Sequence, residues 1–477
     1  MKKLNPFKLG LVAACLAIAS LPESVVALTA EDFGFGNLPA GIGNKPLLLI
    51  TWQLPSPSPV LAHPNPYYDQ LFFNFLTFPS VNGYFLENSG GRFLWTRAGV
   101  LGPVLLTSGE ATTLAAQHSI DNASEGVDRF GIDSGAGIAY LLQLIATKTG
   151  YDFAQWDANG DHVIDNNELF IMIVGNNGNL GGANRPIGAA GSGQGIAGQN
   201  VTLKGRVASL DHQTSFTTFA HEASHSLGTV DLYGANDFSQ GLTLMSGTIA
   251  STADDLHTWH LDPWHKMRLG WVKPRVFTLS SGGLATVTTA QFQSANTPVI
   301  LYDPARGVGE YFIVEFRNSA PANGGGAYDK DLGYPNDLQV SGLAVWHFVA
   351  GNNPLLFSDG SPNLSKGGAT LWNQMTPFLH WNDGTVLPTQ INLRSVQSDG
   401  AAMVFEWLTR SDSWVDFRFS GTELGTFVNP FNTLAEGVFA VAYGGTLNFK
   451  SGSSPETRTI NTPMTLKAFN GPVTIGH

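Results

Sequence analysis

The sequence predicts an α+β protein: a mixed twisted sheet with a functional helix, then an all-β domain, then a small β-rich C-terminal module. Three observations lead there. The first half alternates apolar runs, at 45–50 and 169–174, with a segment of helical period at 136–150. Beyond about residue 275, short alternating strands dominate, at 311–316, 343–346 and 402–407. From Ser411-Asp412-Ser413 onward the chain is rich in Gly and Thr, with short strands at 446–450 and 464–468. The expected division is a signal peptide over 1–27, a first domain over 28–275, a β-rich domain over 276–410 and a small module over 411–477.

A chain of 477 residues is too long for one compact core, so two or three domains are expected. Apolar residues make up 43%, enough to bury real cores, while charged residues reach only 13% and glycines number 55. That balance fits a loop-rich, β-rich extracellular protein. The net charge of −12 argues against a nucleic-acid partner, which needs a basic footprint.

The start of the chain sets the compartment. Lys2, Lys3 and Lys8 precede an apolar run over 9–21, and Val25-Val26-Ala27 offers small residues for cleavage. This reads as a secretory signal peptide of a bacterial protein, and the run is short of the ~20 residues of a membrane span. Val12-Ala13-Ala14-Cys15 also resembles a lipobox, so a lipoprotein anchored through Cys15 is the minor alternative. Cys15 is the only cysteine. A mature chain without thiols must hold any metal ion through His and carboxylates, and it has no disulfide.

In the first half, 81–100 reads as a short helix or turn followed by a strand. The Gly- and Asn-rich stretch 175–200 reads as a loop near the site. A helix is expected from about residue 211, capped by Asp211 or Thr214, with Phe216, Phe219, Ala223 and Leu227 on its apolar face and Gly228 at its end.

That helix carries His221-Glu222-Ala223-Ser224-His225. Residues four apart share a helix face, so His221 and His225 aim two imidazoles at one metal ion. Glu222 is the candidate general base for a metal-activated water. Gly228 permits a sharp turn, which returns Asp231 as a third ligand and leaves one coordination place open. Asp237, Asp254, Asp255, His257 and His260 compete for the third place.

A second candidate metal site is 157–168, DANGDHVIDNNE. Asp157, Asn159, Asp161, Asp165 and Glu168 fall at positions 1, 3, 5, 9 and 12 of an EF-hand loop, with the Val163 carbonyl at 7. His162 stands at position 6, where the loop wants Gly. A structural calcium ion is expected.

The run His221 to Asp231, followed by Leu232-Tyr233, resembles the M6 family of metallopeptidases, the immune inhibitor A-like group of the metzincins. Leu244-Met245-Ser246-Gly247 resembles that family's Met-turn, with Met245 beneath the metal. The stretch Asp262 to Trp271 resembles its segment ending in Leu-Gly-Trp, whose aromatics are read as packing. Upstream, Tyr84 to Phe93 resembles the family's strand and turn. Farther on, 310–317 and 342–347 resemble its β-rich extension, although Val349 stands where many relatives carry Asp. The 414–477 module resembles a bacterial C-terminal segment that opens a parallel β-helix. The resemblance implies a metzincin-like catalytic domain and a secreted, monomeric zinc endopeptidase acting on protein substrates, with Tyr233 a candidate oxyanion donor. Two other readings stand beside it: a catalytically inactive secreted binding or adhesion protein on the same scaffold, and a metal-dependent hydrolase of non-peptide substrates.

Overall fold

A computed structural model describes residues 27–476, apart from 77, 118–133, 177–181, 233–241, 247–256, 290–297, 320–327, 333–340, 352–354, 357–375, 377–378, 380, 382–390, 410, 442–443 and 461–462. The expected signal peptide, with Cys15, lies outside the described residues except for its last position.

The chain is a mixed α and β protein. Its first half is built on a five-stranded sheet of order β2-β1-β4-β8-β5. The strands are β1 (Gly43–Gln53), β2 (Phe93–Leu105), β4 (Phe170–Gly175), β5 (Gly182–Pro186) and β8 (Arg206–Asp211). The first four in that order run parallel, and β5 is antiparallel to β8. Strands β1 and β4 are apolar runs because both their faces are covered. Leu47, Leu49, Phe170, Met172, Val174, Ala208 and Leu210 enter one core. Their alternate neighbours Leu48, Ile50, Ile171, Ile173 and Val207 enter another. A period of two thus sorts each strand between two layers.

Seven helices are described: α1 (Asn65–Phe73), α2 (Val81–Asn88), α3 (Ser108–Ala116), α4 (Gly135–Thr149), α5 (Phe216–His225), α6 (Pro263–Arg268) and α7 (Leu434–Ala440). The helical period at 136–150 is α4, which covers the second core with Ile138, Leu141, Leu142 and Ile145 and ends at left-handed Gly150. Helix α5 covers the first core with Phe216, Phe219, Ala220 and Ala223. It starts later than expected. Its cap is Ser215, whose side chain accepts from the Thr218 N–H, whereas Asp211 takes the Gln213 N–H in a local turn. The expected loop at 175–200 also differs. It contains β5 and β6 (Gln194–Gly195), and β6 pairs with β7 (Thr202–Leu203), itself beside β3 (Val163–Ile164). Low apolar content hides these strands, since β5 needs only backbone pairing at a sheet edge.

The second half is a sandwich. One sheet, of order β14-β13-β12-β11-β9, consists of β9 (Arg275–Thr278), β11 (Val299–Tyr302), β12 (Glu310–Asn318), β13 (Ser341–Val349) and β14 (Leu355–Leu356). The other, of order β10-β16-β15, consists of β10 (Gly283–Thr288), β15 (Ile391–Ser398) and β16 (Ala402–Thr409). Val299, Leu301, Phe312, Val314 and Val345 face Val287, Leu393, Phe405 and Trp407 between the sheets. The opposite face of the five-stranded sheet, with Ile300, Tyr302, Tyr311, Ile313 and Trp346, completes the first core of the N-terminal half. The texture change near 275 is real, and one core runs across it.

The C-terminal module has a core of its own, built from Val415, Phe431, Leu434, Leu447 and Phe449 among others. Its strands β17 (Asp412–Val415), β18 (Thr446–Ser454) and β19 (Thr465–Ile475) form a parallel ladder in chain order. Between β17 and β18 lies α7, whose start is capped by Thr433, which takes the Glu436 N–H. Among the described residues no helix is long and apolar enough to cross a membrane.

The shared core generates a prediction. Each large apolar side chain contributed from 300–346 is worth about 2 kcal/mol of burial. Losing the five named above removes roughly 10 kcal/mol, comparable to a domain's whole stability of ~5–15 kcal/mol. A fragment ending at residue 275 is therefore expected to lack a cooperative thermal transition in near-UV circular dichroism, while one ending at 411 retains it. A native-like melt from the shorter fragment overturns the shared-core account.

Candidate metal centre

Helix α5 places His221 and His225 one turn apart, with ring centroids 4.8 Å apart. Gly228, at φ 93°, then turns the chain back as expected, in a conformation that costs glycine little. The turn delivers Asp231 to the two rings. His221 Nε2 lies 3.1 Å and His225 Nε2 3.2 Å from Asp231 Oδ1, and the two Nε2 atoms are 3.2 Å apart. The competing third ligands do not join this group. His260 is buried against Glu87 and Lys266, His257 stands apart from it, and Asp237, Asp254 and Asp255 lie outside the described residues.

Each imidazole is fixed from behind. His221 Nδ1 lies 2.9 Å from the Leu244 carbonyl and His225 Nδ1 lies 3.0 Å from the Thr229 carbonyl. A carbonyl only accepts, so both Nδ1 atoms carry hydrogen and both Nε2 lone pairs point at the same space. Two lone pairs and a carboxylate facing one another at this range demand positive charge between them. Burial lowers His225, yet the bond to Asp231 and the charge of Glu222 outweigh it and raise its affinity for a proton. Burial raises Asp231, and the two imidazoles outweigh that and hold its carboxyl far below the ordinary carboxylate range. One proton serves a single line between two atoms, whereas a metal ion serves all three. Tetrahedral zinc with bonds of 2.0–2.1 Å has ligand–ligand edges of about 3.3–3.4 Å, close to the triangle seen here. The donor set fits zinc.

Glu222 is buried beside this triangle. Its Oε2 has no hydrogen-bond partner among the described residues, although it lines a cleft of about 530 Å³ shared with His225 and Asp231. Burial pushes its carboxyl above the ordinary value, against the pull of His221 and His225. Gly182 of β5 makes room for it, since a Cβ there would lie 2.7 Å from Glu222 Cγ. Asn184 of the same strand donates to the Glu222 carbonyl at 3.1 Å.

Met245 is fully buried and follows Leu244, whose carbonyl holds His221. Its carbonyl accepts from Leu232 N–H at 2.8 Å and its sulfur lies 3.7 Å from Thr229 Oγ1, so the turn holds both ends of the 229–232 segment. Gly247 and Tyr233 lie outside the described residues. Sequence reading treats 262–271 as packing and misses a positioning pair within it. Asp262, the cap of α6, accepts from His265 Nδ1 at 2.7 Å, leaving His265 Nε2 to accept the Val230 N–H at 3.1 Å. The signal was the Asp-Pro start with a histidine at the third helical place. A buried ionic group completes the support. Arg317 of β12 donates to the Leu242 carbonyl at 2.6 Å and pairs with Asp329, which also accepts the His260 N–H. His260 in turn gives its carbonyl to Leu244 N–H.

The second candidate site is partly as expected. Carboxylate oxygens of Asp157, Asp161 and Glu168 converge within 4.8 Å. Asn159 Oδ1 accepts the Asp161 N–H at 2.8 Å, and Val163 lies in β3. His162 adopts φ 64°, the left-handed conformation that position 6 of the loop requires. Asp165 departs from expectation. Its Oδ1 accepts the Asn167 N–H at 2.7 Å in the turn between β3 and β4, and its carboxylate stands outside the converging group. In comparisons with known proteins, no family model and no curated protein matches this chain.

Two outcomes follow from these contacts. His265→Ala frees the Val230 N–H and loosens Asp231, so zinc affinity is expected to fall about 10–100-fold in a chelator competition with the fold retained; unchanged affinity removes His265 from the site's support. Calcium added to chelator-treated protein is expected to raise the melting temperature, and Glu168→Gln to remove most of that rise. Equal rises in both proteins leave the loop without a cation.

Proposed function

We propose that the chain is a secreted zinc-dependent endopeptidase, resembling the M6, immune inhibitor A-like metzincins in its first half. The observation that carries this reading is the triangle of His221, His225 and Asp231 beside Glu222, a residue that lines the cleft and whose buried Oε2 has no hydrogen-bond partner among the described residues. A zinc ion held by those three residues supplies Lewis acidity, acidifying water and polarising a peptide carbonyl. Glu222 has the two properties of a proton carrier: an oxygen free to take a proton and a raised affinity for one. Its carboxylate accepts a proton from the attacking water as the new C–O bond forms, and then delivers it to the amine nitrogen as the peptide C–N bond breaks. His221 and His225 would hold the ion through Nε2, each ring oriented by the backbone carbonyl that its Nδ1–H meets. Among the described residues β5 is the last strand of its sheet, and it flanks the cleft. An edge of unpaired backbone groups is a fitting bed for an extended peptide, which favours protein substrates over other hydrolysable molecules. Calcium on the 157–168 loop is a structural part of the same proposal.

The test is zinc content and peptide cleavage on three proteins. The intact protein is expected to bind one zinc and cleave casein-derived peptides. His225→Ala is expected to lose zinc. Glu222→Gln is expected to keep zinc and lose about 10²–10⁴-fold in kcat. Zinc binding without any cleavage by the intact protein sinks the enzyme reading and favours the inactive binding scaffold.

A further inference from the structure

Arginines line the wall of the cleft opposite the acidic character of the rest of the molecule. The chain carries a net charge of −12, yet Arg185 of β5 and Arg206 of β8 both face the cleft that holds Glu222, His225 and Asp231. Arg206 is exposed and rigidly presented. Its Nε donates to Asn184 Oδ1 at 2.5 Å and its Nη2 donates to the Asn184 carbonyl. Both partners are neutral, so the guanidinium is oriented without being discharged. Burial and the adjacent Arg185 charge both work against the protonated form of Arg206, and Glu222 works for it. With a dipositive ion bound, the two arginines and the ion outweigh the two carboxylates, and the cleft is positive. Asn184 also ties this wall to the helix through the Glu222 carbonyl, which keeps Arg206 at a fixed place along the bed that a peptide would occupy.

We infer that the cleft selects peptides bearing an Asp or Glu side chain near the scissile bond, with Arg206 as its main contact and Arg185 as a second source of field. The inference rests on the endopeptidase reading for the position of the scissile bond. A planar guanidinium held by its Nε edge still offers donors to a carboxylate, and such charge-assisted contacts are both stronger and more selective than neutral ones.

The experiment uses the full zinc-loaded protein and quenched fluorescent peptides that differ only by Asp, Ala or Lys, walked through three residues on each side of the cleaved bond. At one or two positions the Asp peptide is expected to have a kcat/KM about tenfold above the Ala peptide and higher still above Lys, the advantage shrinking at 1 M salt. In Arg206→Gln the Asp-to-Ala ratio is expected to approach one, in Arg206→Lys to stay above one, and in Arg206→Glu to favour Lys. An unchanged ratio in Arg206→Gln, or a wild type indifferent to charge at every position, overturns the inference. A uniform loss across all peptides assigns Arg206 a purely structural role and overturns it as well. Binding of the same peptides to Glu222→Gln separates the two readings: an Asp preference in binding without cleavage by the intact protein keeps the charge selection and rejects the peptidase, while equal binding rejects the charge selection alone.

Discussion

The site depends on two hydrogen bonds behind the imidazole rings: from His221 Nδ1 to the Leu244 carbonyl and from His225 Nδ1 to the Thr229 carbonyl. They fix the tautomers, and the tautomers put both lone pairs on one point. Every supporting contact keeps those two carbonyls still. Leu244 is held by the His260 carbonyl, and the 229–232 segment by Met245 and His265. Leu242 is held by Arg317, whose guanidinium lies in a fully buried group with Glu315 and Asp329. Buried ions of this kind contribute little net stability, since desolvation offsets their attraction. Their value here is geometric: each ion has one arrangement that satisfies it, and that arrangement fixes the backbone under the rings.

This explains why residues far apart in sequence share one core. The five-stranded sheet of the second half faces the sandwich with one side and the first core with the other. Arg317 reaches the Met245 segment because β12 is buried on both faces along its whole length. A boundary read from composition alone falls where the texture changes, and texture reports strand against helix rather than which surfaces meet.

Much of the site was legible because its spacing is local. The pair His221 and His225, the neighbour Glu222 and the return to Asp231 are set by one helix and one turn, which sequence records directly. The helix at Gly135–Thr149 and the strand at Phe170–Gly175 were legible for the same reason, each having a clear apolar pattern. The supports were not legible. Asp262 and His265 act on Val230, thirty-odd positions earlier, and nothing in a one-dimensional pattern distinguishes them from a capped helix start. Strand β5 has no apolar signature because it is held by backbone pairing with β8 and by the polar side chain of Asn184. Ser215 displaced Asp211 and Thr214 as the cap, because only the residue immediately before the first helical turn can reach its free N–H groups. In the 157–168 loop the spacing rule located three converging carboxylates and not Asp165, whose side chain is taken by the Asn167 N–H of the following turn.

The sheet without a solvent face has one more consequence. A scaffold whose N-terminal half and β-rich wall share one core has no seam between them along which to soften first. Heating such a molecule should not leave a loosened first half beside an intact sandwich; the grouping of His221, His225 and Asp231 and the integrity of the sandwich must fail together. Only the C-terminal ladder, with its own small core, stands outside that fate, and its loss by nicking near residue 411 leaves the thermal endurance of the rest untouched.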